Sequence, residues 1–197
     1  MDLQLLGKIK DLFNYRGFPE LYKISGADKN TIATLNKQLT DLQAKIYYLD
    51  SYLEQNWDLS EKELNQYWKG IHSSLMDLGV KKSDLMDYTN HILKYQKREV
   101  ELRKNLLPTR LSFDHFYFYK SCDVKLIRRL MCEKLPVINF LFKAADWRYF
   151  DLVTEVNDDV SDLEEDLTTI NGNRVLISIQ EFGKLRTIQM FSDFLNE

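Results

Sequence analysis

The side chains with most chemical potential lie in one acidic segment, Glu155 to Asp166, which reads EVNDDVSDLEED. Asp158, Asp162 and Asp166 recur at i, i+4 and i+8. An α-helix through them would project the three carboxylates in one row, with Glu155 one turn earlier and Asp159 alongside. Like charges at this spacing repel by about a few tenths of a kcal/mol per pair. Such a row is tolerated when it is hydrated or when divalent cations neutralise it. Magnesium suits it, because the ion takes carboxylate oxygens on one side and phosphate oxygens and waters on the other. The same segment carries an apolar stripe of Tyr149, Val153, Val156, Val160, Leu163 and Leu167, with Asp158 and Asp162 pointing largely away from it. A solvated acidic face is therefore the competing reading.

A second acidic pair, Asp50 and Glu54, shares a helical face at i, i+4 within Ile46 to Gln55 (IYYLDSYLEQ). It is open to the same two readings, a metal site or an exposed pair. Charge is distributed unevenly. Between Lys94 and Arg129 there are ten Lys or Arg against four acids, whereas Tyr149 to Asn173 holds eight acids and no Lys or Arg. A basic region beside an acidic helix suits a metal-bridged anion site, and it equally suits ordinary surface ion pairing. The net charge of −3 argues against a general nucleic-acid binder. No nucleophile elbow, phosphate-binding glycine loop or metal-binding His pair is present. His72, His91 and His115 fall on separate predicted helices, and Cys122 and Cys132, ten residues apart on one of them, are too distant for a disulfide.

The elements that must position these residues are predicted to be helices. With 3 prolines and 7 glycines in 197 residues and long three-four spacings, the pattern predicts an all-α protein, one antiparallel bundle forming a single domain over 1–197. A helix over 2–15 ends in the Arg16-Gly17-Phe18-Pro19 break. Leu35, Leu39, Leu42, Ile46, Leu49 and Leu53 predict one buried stripe on a helix running from Asp28–Thr31 to Trp57. Ser60 and Glu63 form a capping box for a helix stopping at Gly79; Ser83 begins another that ends before Pro108. Ser112 caps a helix from Phe113 to Lys134, rich in aromatics, and the pattern resumes at Pro136 and continues to Thr168, with a bend near Asp146. Asn171-Gly172-Asn173 reads as a turn, Arg174 to Ile179 as extended or short helical structure, and a last helix covers 185–195. No apolar stretch approaches the roughly 20 residues of a membrane span. Met1 opens directly into an amphipathic pattern without the apolar core of a secretory signal, so a cytoplasmic location is expected.

The acidic segment resembles the second aspartate-rich region of the all-helical class I isoprenoid synthases: the trans-prenyl diphosphate synthases, the phytoene and squalene synthases, and the terpene cyclases. Asp158-Asp159-Val160-Ser161-Asp162 matches the DDxxD of the prenyl synthases. Asp162-Leu163-Glu164-Glu165-Asp166 matches the DxxxD of the phytoene type, with Glu155 and Asp158 at that family's Gln and Asn positions. Asn157, Ser161 and Glu165 fit the cyclase pattern. The registers differ by one residue. The Asp158, Asp162, Asp166 row is preferred because it also accounts for Glu155. Residues 111–124 (LSFDHFYFYKSCDV) are similar to the aromatic helix that lines the family's prenyl pocket, and Asp50 to Glu54 sits where the first aspartate motif should be, keeping its first Asp and a Glu for its last.

The resemblance implies a compact or truncated isoprenoid-synthase fold. The activity it implies is magnesium-dependent ionisation of an allylic prenyl diphosphate. Asp50, Glu54, Asp158, Asp159, Asp162 and Asp166 would hold magnesium. Lys120, Lys125, Arg128 and Arg174 would bind the diphosphate, Arg174 standing at a distance from the motif similar to a family Arg. Tyr47, Phe116 and Tyr119 would shield the allylic cation by contacts of about 0.5–2 kcal/mol each. A homodimer is compatible with this reading. The reading from another class is a non-catalytic helical bundle that binds a protein or a lipid.

Overall fold

The computed structural model describes residues 2–104, 113–168 and 172–196, and among them every regular element is helical. In chain order these are α1 (Leu3–Tyr15), α2 (Phe18–Ser25), α3 (Lys29–Gln55), α4 (Glu61–Asp77), α5 (Leu85–Arg103), α6 (Phe113–Lys120), α7 (Cys122–Lys134), α8 (Pro136–Leu141), α9 (Arg148–Ser161), α10 (Leu163–Asp166), α11 (Arg174–Phe182) and α12 (Lys184–Asn196). Short 3-10 turns precede α5 and α9, at Lys82–Asp84 and Ala144–Trp147. Ser112, Pro108 and Asn171, expected at boundaries, lie outside the described residues.

Local chemistry explains most of the boundaries. Asp28 begins α3 by accepting the backbone N–H groups of Asn30 (2.9 Å) and Thr31 (3.0 Å). Ser60 caps α4 through the Glu63 N–H, but the Glu63 carboxylate turns to the Tyr52 hydroxyl (2.9 Å) instead of closing the box. The Gly17-Phe18-Pro19 sequence proves to be a helix start as well as a break. Gly17 takes a left-handed φ of 70°, and Pro19, with no N–H to lose, sits in the first turn of α2. Two predicted helices are interrupted: Phe113–Lys134 divides at Ser121 into α6 and α7, and the run from Pro136 divides into α8, a turn, α9 and α10. Arg174–Ile179 is helical, within α11.

The residues cluster into two compact units. One comprises Met1–Tyr52, Asp58–Asn90 and Asp123–Ala144. The predicted α3 stripe is buried throughout, each of its six residues at most 6% exposed, and every such aliphatic side chain removed from water contributes about 1.5–3 kcal/mol. In this unit α2 packs on α1 and α8, Phe13 meets Phe18 at 5.0 Å, and the buried Gln43 amide donates to Asp123 (2.7 Å).

The other unit comprises Leu53–Trp57, His91–Cys122 and Ala145–Glu197. Here α9 packs against α6 and α11, and α11 against α12. Phe116, Tyr117, Val156, Val175 and Phe191 form the core, with Phe113 set between Phe191 (4.6 Å) and Phe194 (5.3 Å). The aromatic run on α6 is thus largely packing material.

Candidate functional site

The acidic segment is not one helix. α9 ends at Ser161, and Asp162 leaves helical geometry at φ −94°, ψ 10° while its N–H still bonds the Asp158 carbonyl (2.9 Å). The four-residue α10 then carries Glu164, Glu165 and Asp166. The i→i−4 bonding nonetheless continues across the junction, the Asp166 N–H bonding the Asp162 carbonyl (2.8 Å), so Asp158, Asp162 and Asp166 remain one turn apart in succession.

The buried face of α9 also differs from the apolar stripe. Tyr149, Val160 and Leu167 are exposed, whereas Asp151, Thr154, Glu155, Val156 and Asp159 are buried. Three carboxylates at i, i+4 and i+8 point inward. Acids are rarely placed inside a protein without partners, because a desolvated charge is costly, and the partners of Asp159 show how that cost is met.

Asp159 is fully buried and accepts three donors. Its Oδ1 receives the Lys120 ammonium in a close ion pair. Its Oδ2 receives the Tyr117 hydroxyl at 2.8 Å and the Arg174 backbone N–H at 2.9 Å. Three elements thus meet on one carboxylate: the end of α6, the last third of α9 and the first turn of α11. Burial by itself would lower the Lys120 pKa, but the charges of Asp159, Glu155 and Asp158 and the hydrogen bond to Asp159 outweigh it and raise the pKa. Burial pushes the Tyr117 hydroxyl well above its usual range, and the Asp159 charge adds to this, so the phenol stays a donor.

Asn173 joins the cluster from α11. Its side-chain oxygen caps that helix by accepting the N–H groups of Val175 (3.0 Å) and Leu176 (3.1 Å). Its amide donates to the Asp159 backbone carbonyl (2.8 Å) and to Asp166 Oδ2 (2.6 Å). Arg174 follows with its guanidinium carbon 5.4 Å from the Phe113 ring centroid. Burial lowers its pKa, and Glu181, Tyr117 and Asp159 do not offset this fully.

Asp162 stands at the exposed edge of the cluster. Burial of part of the side chain raises its pKa, followed by the charges of Asp166 and Glu165; Lys120 opposes them. A carboxyl whose pKa is higher folded than unfolded binds more protons in the native state, so the fold loses stability as pH rises through this interval. Asp162→Asn should therefore stabilise the protein slightly at pH 7, by about a few tenths of a kcal/mol given solvent screening. That gain should shrink as pH falls through about 3.9, the unfolded aspartate value, below which the wild-type carboxyl becomes protonated in both states. Thermal melts of the two proteins at pH 7 and pH 3.5 measure it; equal midpoints at pH 7 would refute the repulsion.

Of the expected site residues, Lys120, Asp159, Asp166 and the Arg174 backbone are brought into one network. Asp158 is half-buried near Lys120. Phe116 is core, 2% exposed, and packs edge-on to Tyr95 and Tyr117. Tyr119 is half-buried, its ring edge-on to His91 with the Lys94 ammonium 5.7 Å away. Asp50 and Glu54 lie one turn apart on α3, both half-buried, as is Tyr47. On α7, Lys125 is half-buried and Arg128 buried. Among the described residues no three His, Cys, Asp or Glu are arranged to enclose a metal ion. Two network members escape sequence reasoning, Tyr117 and Asn173. Asn173 had a usable signal, an Asn directly before a run of helix formers, which favours an N-cap as much as a turn. Tyr117 had none among its aromatic neighbours.

No family model matches the chain, and neither a curated protein nor a solved structure is significantly similar to it.

Proposed function

We propose that the protein is a divergent, magnesium-dependent isoprenoid-synthase-like protein, with the junction of α9 and α10 as its cation site and an allylic prenyl diphosphate as its substrate class. The observation that carries this reading is the electrostatic state of Asp162. Partial burial raises its pKa, and the charges of Asp166, Glu165 and Asp159 add to this even though Lys120 is close; a divalent cation would relieve the repulsive part. Magnesium uses only one or two protein carboxylates when phosphate oxygens and waters complete its shell, so two of Asp158, Asp162 and Asp166 would suffice without a preformed cage. The bound ion would supply charge neutralisation for a departing diphosphate. Asp159 has a different role: its oxygens are occupied by Lys120, Tyr117 and Arg174, and it holds the Lys120 ammonium at the acidic edge, where that ammonium can face an anion.

At magnesium ten times its Kd the melting temperature should rise by about 3–5 °C, the equivalent of about 1.4 kcal/mol. The rise should disappear in Asp162→Ala and Asp166→Ala. Magnesium-dependent release of diphosphate from farnesyl or geranylgeranyl diphosphate tests the activity itself. The reading fails if the wild type shows neither the shift nor the release.

A second reading, a non-catalytic helical module, is favoured by the commitment of Lys120 to Asp159, which leaves that ammonium partly neutralised. Full helicity with no magnesium-induced shift would select it.

A further inference from the structure

α3 and α4 lie side by side in opposite directions, and three side chains of α3 reach across in register. The Tyr52 hydroxyl donates to Glu63 (2.9 Å), the Lys45 ammonium to the Ser74 hydroxyl (2.6 Å), and the Gln38 amide to the backbone carbonyl of Asp77 (3.0 Å), the last residue of α4. Around the second and third of these bridges the surface is hollow. Ala44, 2% exposed, is too small to fill it, and Ser74, 4% exposed, forms part of the opposite wall. The result is a groove of about 350 Å³, at the small end of the range for ligand sites. Along α3 its lining runs Asp41, Lys45, Tyr48, at i, i+4 and i+7 on one face. Asp41 and Lys45 stand at a spacing that commonly pairs. The ammonium is nevertheless spent on the buried Ser74, and among the described residues neither the Asp41 nor the Asp77 carboxylate has a cation in ion-pair contact. The groove thus keeps charge of both signs in reserve. Two exposed carboxylates sit beside the carboxyl end of α4, where the helix dipole also favours a cation. One turn further along is an ammonium that still has N–H groups to donate, and beyond it the Tyr48 ring, 45% exposed.

We propose that this groove binds a small zwitterion of the amino-acid type with an aromatic side chain. Its ammonium meets Asp41 and Asp77, and its carboxylate takes the remaining N–H groups of Lys45, which Ser74 holds in place. Its ring lies against Tyr48, where aromatic pairs gain from offset or edge-on contact. The spacing suits such a ligand: side chains one turn apart have Cβ atoms about 5–6 Å from each other, a gap that Asp41 and Lys45 close on two charges borne by one carbon. Ligands of a single sign fit less well. An anion would face two uncompensated carboxylates, and a metal or organic cation would share the groove with the Lys45 ammonium. Among the described residues no three acidic, His or Cys side chains gather here to offset that repulsion. The inference stands apart from the proposed activity and holds whether or not α9 and α10 bind a cation.

Titration of phenylalanine into the isotopically labelled full chain, followed by backbone amide chemical shifts, tests it. Phenethylamine, which lacks the carboxylate, and hydrocinnamate, which lacks the ammonium, are the comparison ligands. A ligand of this size held by exposed charges should bind with a Kd of about 1 mM, and the shifts should concentrate at residues 41–48 and 74–77. Each comparison ligand should bind about two- to fivefold more weakly, the worth of one exposed ion pair. Asp41→Asn with Asp77→Asn should weaken phenylalanine binding by a similar factor, and so should Lys45→Met. Asp41 and Asp77 are exposed, so the asparagine variant should melt with the wild type; it decides the matter if Lys45→Met fails to fold. The proposal is overturned if phenylalanine at ten times that concentration gives no saturable shift, or if its affinity is unchanged in the asparagine variant. Phenethylamine binding as tightly as phenylalanine also overturns it, since the groove would then select a cation alone.

Discussion

Asp159→Ala should be among the most destabilising single substitutions in this protein, lowering stability by about 3–5 kcal/mol, because it strands the Lys120 ammonium and the Tyr117 hydroxyl without their acceptor. At this chain length that corresponds to about 6–20 °C in Tm. Asp159→Asn keeps the shape and one acceptor but removes the charge, and should recover only part of the loss. The reverse truncation, Lys120→Met, leaves a buried carboxylate that still has two neutral donors, and should cost less. A double-mutant cycle separates the pair from its surroundings: Lys120→Met with Asp159→Leu should be less destabilising than the two single changes added together. Additive losses would show that the ion pair is incidental. The pH dependence has a defined sign. Lys120 has a raised pKa in the folded state, so its contribution is fully present below the unfolded lysine value of about 10.4 and is lost only as pH climbs above it. The stabilisation from the pair should be flat across neutral pH and fall in strong alkali, and Lys120→Met should flatten that alkaline fall.

Asn173→Ala should cost about 2–4 kcal/mol. The change removes an N-cap, worth about 0.5–2 kcal/mol, and two donations, one buried to the Asp159 carbonyl and one part-buried to the Asp166 carboxylate, which add to that loss. Asn173→Asp is the informative comparison. Aspartate caps a helix as well as asparagine does, but it places an oxygen where the amide faced the Asp159 carbonyl and the Asp166 carboxylate. It should remain destabilised at pH 7 and recover as acid protonates the new carboxyl. Chemical denaturation of the three proteins at pH 7 and pH 4 decides the matter. An Asn173→Asp variant as stable as the wild type at pH 7 would mean that Asn173 acts only as a cap.

The two substitutions also mark where sequence reasoning succeeds and where it runs out. The α3 stripe from Leu35 to Leu53 was readable because a long helix with one apolar face states its own orientation through a three-four period. Gly17 and Pro19 read along the sequence as a stop and hide α2, although a proline in the first turn starts a helix as readily as it ends one. α9 is the opposite case to α3. Its apolar residues suggested that Tyr149, Val160 and Leu167 faced inward, yet the core side carries Asp151, Glu155 and Asp159. No local pattern could show this, since the inward turn of Asp159 depends on Lys120 and Tyr117, about 40 residues away along the chain, and on an α11 that itself needs Asn173 to begin. The acidic residues were legible as a group. Which of them is buried, and which stays available to solvent, was set by tertiary partners.

The break at Asp162 divides the acidic run into two bodies with different lifetimes. The amides of α9 lie in a helix anchored through Asp159 on three sides, so their protons should exchange with solvent only when the whole unit opens. The four-residue α10 is held by the Asn173 contact to Asp166 and by Leu163 on the core, and its exposed, short run of amides should exchange sooner. A run of charge that looks continuous along the chain is thus split between a buried, many-partnered half and a more exposed half, and the carboxylates most open to an incoming cation belong to the second.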